Sequence, residues 1–310
     1  MQQLLKQIPI PLSGLMLGLF SLAKLALIMD QKAVQILFLA LGVTTWILLV
    51  AKFVFTFTET MEQLKNPVVA SVAPTFTMGT MVFTSMFITH FEWIKIIWLL
   101  AFALQIVLVC YFVKTFIFTK AFQLQSVLPS WFIVFVGLGI GPVTAGDIFP
   151  TLTHIVFWIV LTCYVILLPT VLVRLKKHAL VEPTKPLVAI LSAPGSLLFV
   201  GYMQTFTNIN DYLLIVLFTC SQLFYLVVLS LMPKLLKLPF YPSYAALTFP
   251  LIISATAVEK MYLYTGNPFF QAVGYLEFII GIFIVLYVYV RYTRFLRKTY
   301  VQTVSVTSKA

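Results

Sequence analysis

Charged side chains are scarce in this sequence. Asp, Glu, Lys and Arg make up 9% of its 310 residues, whereas hydrophobic residues make up 61%. Water-soluble domains usually carry about 25% charged residues, so the composition excludes an ordinary soluble fold. The apolar residues come in repeated runs of roughly 18 to 25, the length of a membrane-spanning helix, rather than in the short alternating strands of a barrel. The sequence therefore predicts an all-α integral membrane protein.

Reactive and metal-binding side chains are also few. The three cysteines, Cys110, Cys163 and Cys220, are widely separated, and the three histidines form neither a triad nor a metal-ligand pattern. The stretch GLGIGPVTAG at residues 137–146 is superficially like a phosphate-binding loop, but no Lys–Ser or Lys–Thr pair follows it. We therefore predict no active site, no metal and no cofactor, and the protein is not expected to be an enzyme.

The apolar runs predict ten transmembrane helices in a single domain that covers residues 1–310. A cytoplasmic N-terminus at 1–8 and a cytoplasmic tail at about 293–310 flank them. The longest polar connections are too short to hold a soluble domain. The predicted spans are 9–29, 33–57, 67–90, 93–117, 129–147, 151–174, 186–206, 211–233, 241–262 and 268–292.

Basic residues are distributed unequally between the two ends of these spans. All but four of the 20 Lys and Arg residues fall at one end, and the exceptions are Lys24, Lys32, Lys95 and Lys260. Because basic residues are enriched in cytoplasmic loops, both termini are predicted to be cytoplasmic. The expected location is a plasma (inner) membrane. Topology thus accounts for the net charge of +11, with some attraction to lipid headgroups, and no nucleic-acid partner is expected.

Prolines recur with the period of a helical hairpin. Pro9, Pro67, Pro129, Pro186 and Pro242 each open an odd-numbered span, 56 to 62 residues apart. Four of these spans carry a further proline, where a helix bends or breaks: Pro74, Pro142, Pro194 and Pro250. We interpret the pattern as five helical hairpins in a quasi-fivefold arrangement, each with an interrupted first helix.

Glycines indicate which helices lie inside. Most of the 13 glycines fall on odd-numbered spans, whereas the even-numbered spans consist mainly of Leu, Ile, Val and Phe. Small residues let helix backbones approach closely, and large apolar surfaces suit lipid. We therefore predict an inner ring of odd helices and an outer ring of even helices; the alternative is that glycine serves helix packing anywhere.

Three stretches resemble a known family. They are PIPLSGLMLGLFSL at 9–22, NPVVASVAPTFTMGTMVF at 66–83 and YAALTFPLIISATA at 244–257. They resemble the tellurite-resistance and dicarboxylate transporter (TDT) family, which includes bacterial TehA and the plant guard-cell slow anion channels. The resemblance implies a homotrimer with an anion pore through each protomer, lined by the five inner helices. It also implies a pore-plugging phenylalanine in the ninth helix, and its place in TFP matches Phe249.

The residues themselves are compatible with an anion path. A bare anion in hydrocarbon is costly, so a path must supply water, donors or positive potential. The inner helices carry no central Lys or Arg, but they offer hydroxyls and, at each proline break, the N-terminal dipole of the following half-helix. The alternative is that these hydroxyls bond carbonyls of their own helices. The pore-lining candidates are Ser13, Gly14, Gly18, Ser71, Thr75, Phe76, Thr144, Ser192, Ser196, Phe199, Thr248 and Ser254.

Three classes of function remain open. A gated channel for small inorganic or organic anions is favoured over a proton-coupled transporter of a C4-dicarboxylate, sulfite or another anion. A structural or enzymatic membrane protein is disfavoured because no catalytic set exists. A coupled carrier needs a titratable group on its path. Apart from Asp147 near a span end, only Glu277 is a candidate coupling acid, and it is alternatively a structural group on an outer helix.

Overall fold

A computed structural model describes residues 2–118 and 123–307, and these residues are helical with no strand. This confirms the predicted all-α class. Two basic residues used for the orientation, Lys120 and Lys309, lie outside the described residues. The fourteen α-helices are α1 Gln2–Gln7, α2 Leu12–Ile28, α3 Lys32–Phe55, α4 Phe57–Gln63, α5 Pro67–Val72, α6 Thr75–Ser85, α7 Ile94–Phe112, α8 Trp131–Phe135, α9 Ile140–Ala145, α10 Pro150–Lys177, α11 Ala193–Thr205, α12 Asp211–Leu235, α13 Phe249–Thr265 and α14 Pro268–Thr307.

Local sequence explains several of the boundaries. The Asn66 side chain accepts hydrogen bonds from the backbone N–H groups of Val68 and Val69, which caps α5. Pro67, Pro150 and Pro268 stand at first helical positions, where the missing N–H has no partner to lose. Gly266 ends α13 with a φ of 67°, a left-handed conformation that glycine adopts without a Cβ clash.

Five helices form an outer layer: α3, α7, α10, α12 and α14. In the most apolar window of each outer span, between 22% and 39% of the residues are buried. The corresponding share is 72% for Pro67–Ser85, 89% for Glu182–Thr205 and 78% for Pro242–Thr265. The large apolar side chains that the outer helices expose, such as Leu100 and Ile166, suit contact with lipid.

The proline-containing segments lie inside this layer. We call 12–28, 67–85, 131–145, 182–205 and 242–265 the inner segments. Their helices contact one another in a closed series, in which α2 packs on α6, α6 on α9, α9 on α11, α11 on α13, and α13 on α2. Each outer helix packs on the inner segment that precedes it in the chain.

The prolines of the four predicted breaks lie in or just before the first turn of a helix, with Pro142 the third residue of α9, whereas Pro186 lies inside a 3₁₀-helix. Pro74 caps α6, while Pro194 and Pro250 are the second residues of α11 and α13. The preceding halves of the last two segments are 3₁₀-helices, Glu182–Ser192 and Pro242–Leu247. A proline in the first turn of a helix removes no intrahelical hydrogen bond, so these segments change winding at the proline instead of bending through it.

Ten uninterrupted spans, as predicted, are not present in the described residues. Eight segments are long and apolar enough to cross a membrane, and Leu12–Ile28 is a shorter apolar helix. The predicted fifth span, 129–147, is divided into α8, a 3₁₀ turn at Gly137–Gly139 and α9. Three glycines and Pro142 within six residues account for the division, because both residue types destabilise a helix interior. At the other end of the chain, α14 continues as helix through most of the predicted tail.

Candidate functional site

A first cavity of about 300 Å³ lies among the N-terminal halves of the inner segments. Every inner segment contributes to its wall, with residues that include Gly14, Thr75, Gly137, Pro194 and Pro250. The wall is mostly apolar, and of the described residues that line it none is charged. Its polar side chains include Asn66, Thr184, Tyr241 and Ser243.

A second cavity, also about 300 Å³, lies among the C-terminal halves of the same segments. Residues from all five inner segments line this cavity too. The chemistry of its wall differs from that of the first cavity, because two basic residues and one acidic residue line it. These are Lys24, Lys260 and Asp147, accompanied by Gln204 and several hydroxyl groups.

Phe249 is the one described residue that lines both cavities. It is the first residue of α13, and its side chain is 7% exposed. The first cavity is lined by residues from segment starts such as Pro11 and Asn66, and the second by residues near segment ends such as Ile28 and Gln204. The Phe249 ring therefore lies between two spaces that follow each other along the inner segments.

The start of α13 is fixed to α2 next to Phe249. The buried Thr248 hydroxyl donates to the Ala245 carbonyl at 2.7 Å and lies 3.1 Å from the Gly14 carbonyl of α2. One turn further along α2, a Cβ at Gly18 would come within 2.5 Å of Thr248 Oγ1. Gly18 thus allows the close approach of the two helices that places Phe249.

The other two candidate phenylalanines point elsewhere. The Phe76 ring packs edge-on against Phe53 of the outer helix α3, with ring centroids 4.8 Å apart. Phe199 is fully buried and packs against Phe218 of α12 at 5.3 Å. Neither lines a cavity. In the described part of the chain, no aromatic ring packs on Phe249 in this way.

The structure brings some of the predicted residues to the cavities. Gly14, Thr75, Pro194 and Pro250 line the first cavity, and Thr144 lines the second. Thr144 is also tied into the packing, because it accepts a hydrogen bond from Trp98 Nε1 at 2.9 Å and donates to the Ile140 carbonyl at 2.6 Å.

The remaining candidates lie outside both linings. Several of their hydroxyls form buried contacts between helices, with O–O distances of 2.6 Å for Ser13 and Thr75, 2.7 Å for Ser71 and Ser130, and 2.7 Å for Ser196 and Ser221. Ser192 donates to the Ala189 carbonyl of its own segment at 3.0 Å. The others that line neither cavity are Gly18, Pro74, Phe76, Pro142, Phe199, Thr248 and Ser254.

Glu277 lies on α14, 3% exposed and away from both cavities. Its carboxyl group hydrogen-bonds to Ser254 of α13, and its Oε2 has no hydrogen-bond partner in the described residues. Gln222 Nε2 also donates to Ser254 Oγ, at 3.2 Å. Glu277 therefore contacts the helix that carries Phe249 from its outer side.

Lys24 and Lys260 are basic lining residues that the pore-lining candidates omitted. Both were predicted to lie at the sparsely basic end of the spans, yet their position inside a cavity requires the tertiary structure. A signal was present in the sequence, since both are among the four exceptions to the charge asymmetry. A basic residue that departs from this asymmetry calls for a local reason.

The electrostatics of the two cavities favour negative ligands. The helices α2, α6, α11 and α13 begin beside the first cavity, which places the positive ends of their dipoles there, while early N–H groups such as those of Leu12, Phe76 and Leu251 donate to backbone carbonyls. The second cavity has two ammonium groups and one carboxylate. Within the described ranges no three His, Cys, Asp or Glu residues are grouped as for a metal ion.

The sequence matches the SLAC1 family model, whose description is voltage-dependent anion channel, over residues 8–293. The match covers every inner segment and every outer helix except the last part of α14, and it confirms the resemblance inferred from the three stretches of sequence. No curated protein matches the chain.

Proposed function

The chain belongs to the voltage-dependent anion channel family, and on this premise we propose that it is a gated channel for small anions. Family membership supports a role in anion transport by a multi-pass membrane protein. The channel mechanism, the gate and the conducted ions are the parts that we add.

The observation that carries the proposal is the position of Phe249 between the two cavities. A benzyl ring in a narrow apolar constriction blocks ions sterically and also disfavours water, so that both effects raise the barrier to permeation. We propose that the two cavities are the halves of one path and that Phe249 is its gate. When this ring moves aside, the two cavities become one continuous path.

Weak, distributed attraction suits conduction better than one tight site. Helix N-termini at the first cavity lower the cost of an anion without a fixed charge. The apolar wall around them makes few direct bonds, and conduction requires sites that an ion leaves as readily as it enters. Lys24 and Lys260 add positive potential at the second cavity.

We further propose how the chain lies in the membrane. The five inner segments and five outer helices cross the bilayer as hairpins in quasi-fivefold order, and broken segments such as 131–145 are tolerated because protein surrounds them. Both termini lie in the cytoplasm of a plasma membrane, and three copies assemble as a homotrimer with a path in each protomer.

Current recordings in a planar bilayer test the channel. We expect the reversal potential to follow the gradient of chloride or nitrate and to ignore a modest pH gradient, because passive conduction couples to no second ion. A reversal potential that moves with the proton gradient would favour the proton-coupled transporter instead. Absence of any anion-dependent current from protein that is folded and inserted would refute transport by this path.

A further inference from the structure

The second cavity holds two positive groups without direct ion pairs. Lys24 Nζ donates to Ser85 Oγ at 2.9 Å and lies 3.5 Å from the Val143 carbonyl. Lys260 Nζ donates to Gln204 Oε1 at 3.1 Å. In the described ranges, salt bridges within 4.0 Å join only Lys65 to Glu62 and Lys95 to Glu92.

One carboxylate partly balances the two ammonium groups. Asp147 is held by Gln204 Nε2, at 3.1 Å and 3.0 Å from its two oxygens, and it attracts both lysines, while the lysines repel each other. The charged side chains in the cavity wall therefore sum to one positive charge. The nearby Glu259 is buried on the other side of α13, where its Oε2 faces Gly274 of α14, and it does not line the cavity.

We propose that Lys24 and Lys260 form a binding site for one small monovalent anion, a halide or a planar oxyanion such as nitrate. The inference deepens the proposed function, on which it rests, by naming a site and a ligand class on one side of Phe249. A single negative charge matches the net charge of the wall, whereas a dianion leaves an excess negative charge in a partly buried space. Free N–H positions on both ammonium groups are available to a ligand, since each ammonium has three donors.

The site has a functional consequence because none of the described residues that line the first cavity is charged. An ammonium group raises the local anion concentration in a cleft with low-dielectric walls. We therefore expect the path to load anions at lower concentration from the second cavity than from the first. Half-saturation of the current is accordingly lower for anion added on the second-cavity side.

The binding test uses purified full-length protein and the thermal-unfolding shift produced by sodium nitrate, with sodium gluconate at equal ionic strength as reference. In Lys24→Gln and Lys260→Gln we expect the nitrate concentration for half-maximal shift to rise on the order of fivefold, because one attractive unit charge is lost in a medium of intermediate dielectric. Lys24→Arg should retain wild-type affinity. Anomalous diffraction from crystals soaked in iodide should place an ion between the two lysines.

The matched controls are Lys32→Gln and Lys95→Gln, since both lysines lie at the same predicted end of the spans but outside the second cavity. They should leave the nitrate response unchanged. Asp147→Asn should lower the half-maximal concentration, the opposite direction, because it removes the carboxylate and keeps an acceptor for Gln204.

The outcomes separate this site from the channel. Suppose that wild-type protein conducts no anion but that Lys24→Gln and Lys260→Gln raise the nitrate concentration for the half-maximal thermal shift. The channel proposal then fails, and the binding site is supported. If anion currents are present but neither substitution changes the nitrate shift, or the controls change it equally, the site is wrong. If sulfate gives its half-maximal thermal shift at a lower concentration than nitrate at equal ionic strength, the site does not select monovalent anions and that part of the proposal is wrong.

Discussion

At the residue scale, Phe249 differs from the other phenylalanines in its surroundings. The chain has 29 phenylalanines, and the described ones include exposed rings such as Phe283 and fully buried rings such as Phe20. Phe249 borders open space on two sides, whereas Phe76 and Phe199 pack against rings of the outer helices. Phe249 is nevertheless buried, at 7% exposed, so a substitution there removes packing contacts as well as changing the proposed path.

Phe249→Ala is expected to raise anion current about tenfold or more, since each ~1.4 kcal/mol removed from a barrier gives a factor of ten. Phe249→Leu should raise it less, because leucine remains bulky and apolar. The measurement is whole-cell current normalised to surface expression. Phe199→Ala is the matched control, with a similar loss of volume away from the cavities, and should leave the current per molecule near the wild-type value. Wild-type-sized current from Phe249→Ala at equal expression would place the gate elsewhere.

Glu277→Gln tests the coupled-transporter alternative. Glutamine keeps the shape and an acceptor for the Ser254 hydroxyl but has no proton to exchange, and Glu277 lines neither cavity. We expect the reversal potential in a pH gradient to stay unchanged, with current within about twofold of wild type, because passive conduction needs no titrating group on the path. Selective loss of pH-driven anion uptake in this variant would assign Glu277 a coupling role.

At the element scale, the contact of α2 with the start of α13 sets the position of Phe249. A Cβ at Gly18 would lie 2.5 Å from Thr248 Oγ1 and 3.3 Å from the Phe249 backbone nitrogen. The first distance is too short for any real contact, and Thr248 is buried and hydrogen-bonded, so α2 and α13 have to separate.

Gly18→Ala is accordingly expected to lower the free energy of unfolding by about 1–3 kcal/mol, the usual cost of overpacking. Gly274→Ala is the control, because the nearest atom to its added Cβ is 3.4 Å away, an ordinary contact. The measurement is thermal unfolding of both variants in detergent. Equal stability of the two variants would contradict the close approach of α2 and α13.

At the scale of the whole molecule, the inner segments form a closed set of contacts with two cavities inside it, and the outer helices expose large apolar side chains. The path that we propose offers helix termini, hydroxyls and two ammonium groups, which replace an anion's water only in part. The free energy needed to remove water from each anion then determines the order of permeability among anions.

We expect large, weakly hydrated monovalent anions such as nitrate and iodide to pass at least as well as chloride. Bi-ionic reversal potentials measure the order of anion permeability. The Phe249→Ala variant is used because the proposed gate is removed for every ion. Because the order depends on dehydration, gluconate should pass poorly. A strict preference for a dicarboxylate would contradict both the channel and its ligand class.

Local sequence determined much of this description. The scarcity of charge indicated the membrane environment, and the lengths of the apolar runs located the outer helices, because whether a helix can cross a bilayer depends on its length and apolar composition. The spacing of the prolines located the breaks in the inner segments, and TFP singled out Phe249 through the family resemblance. We did not predict that 129–147 is divided, although its glycines and Pro142 carry the signal, nor that 3₁₀-helices precede Pro194 and Pro250, because 3₁₀ winding also depends on packing around the segment.

Only the tertiary structure decided which side chains face the cavities. An inner segment is surrounded by protein and apolar on all sides, so its hydrophobic pattern does not mark a face. Thr75 lines the first cavity, whereas Ser13, its hydrogen-bond partner on α2, does not. Lys24 and Lys260, distant in the chain, come together at the second cavity because α2 and α13 close the series of inner contacts.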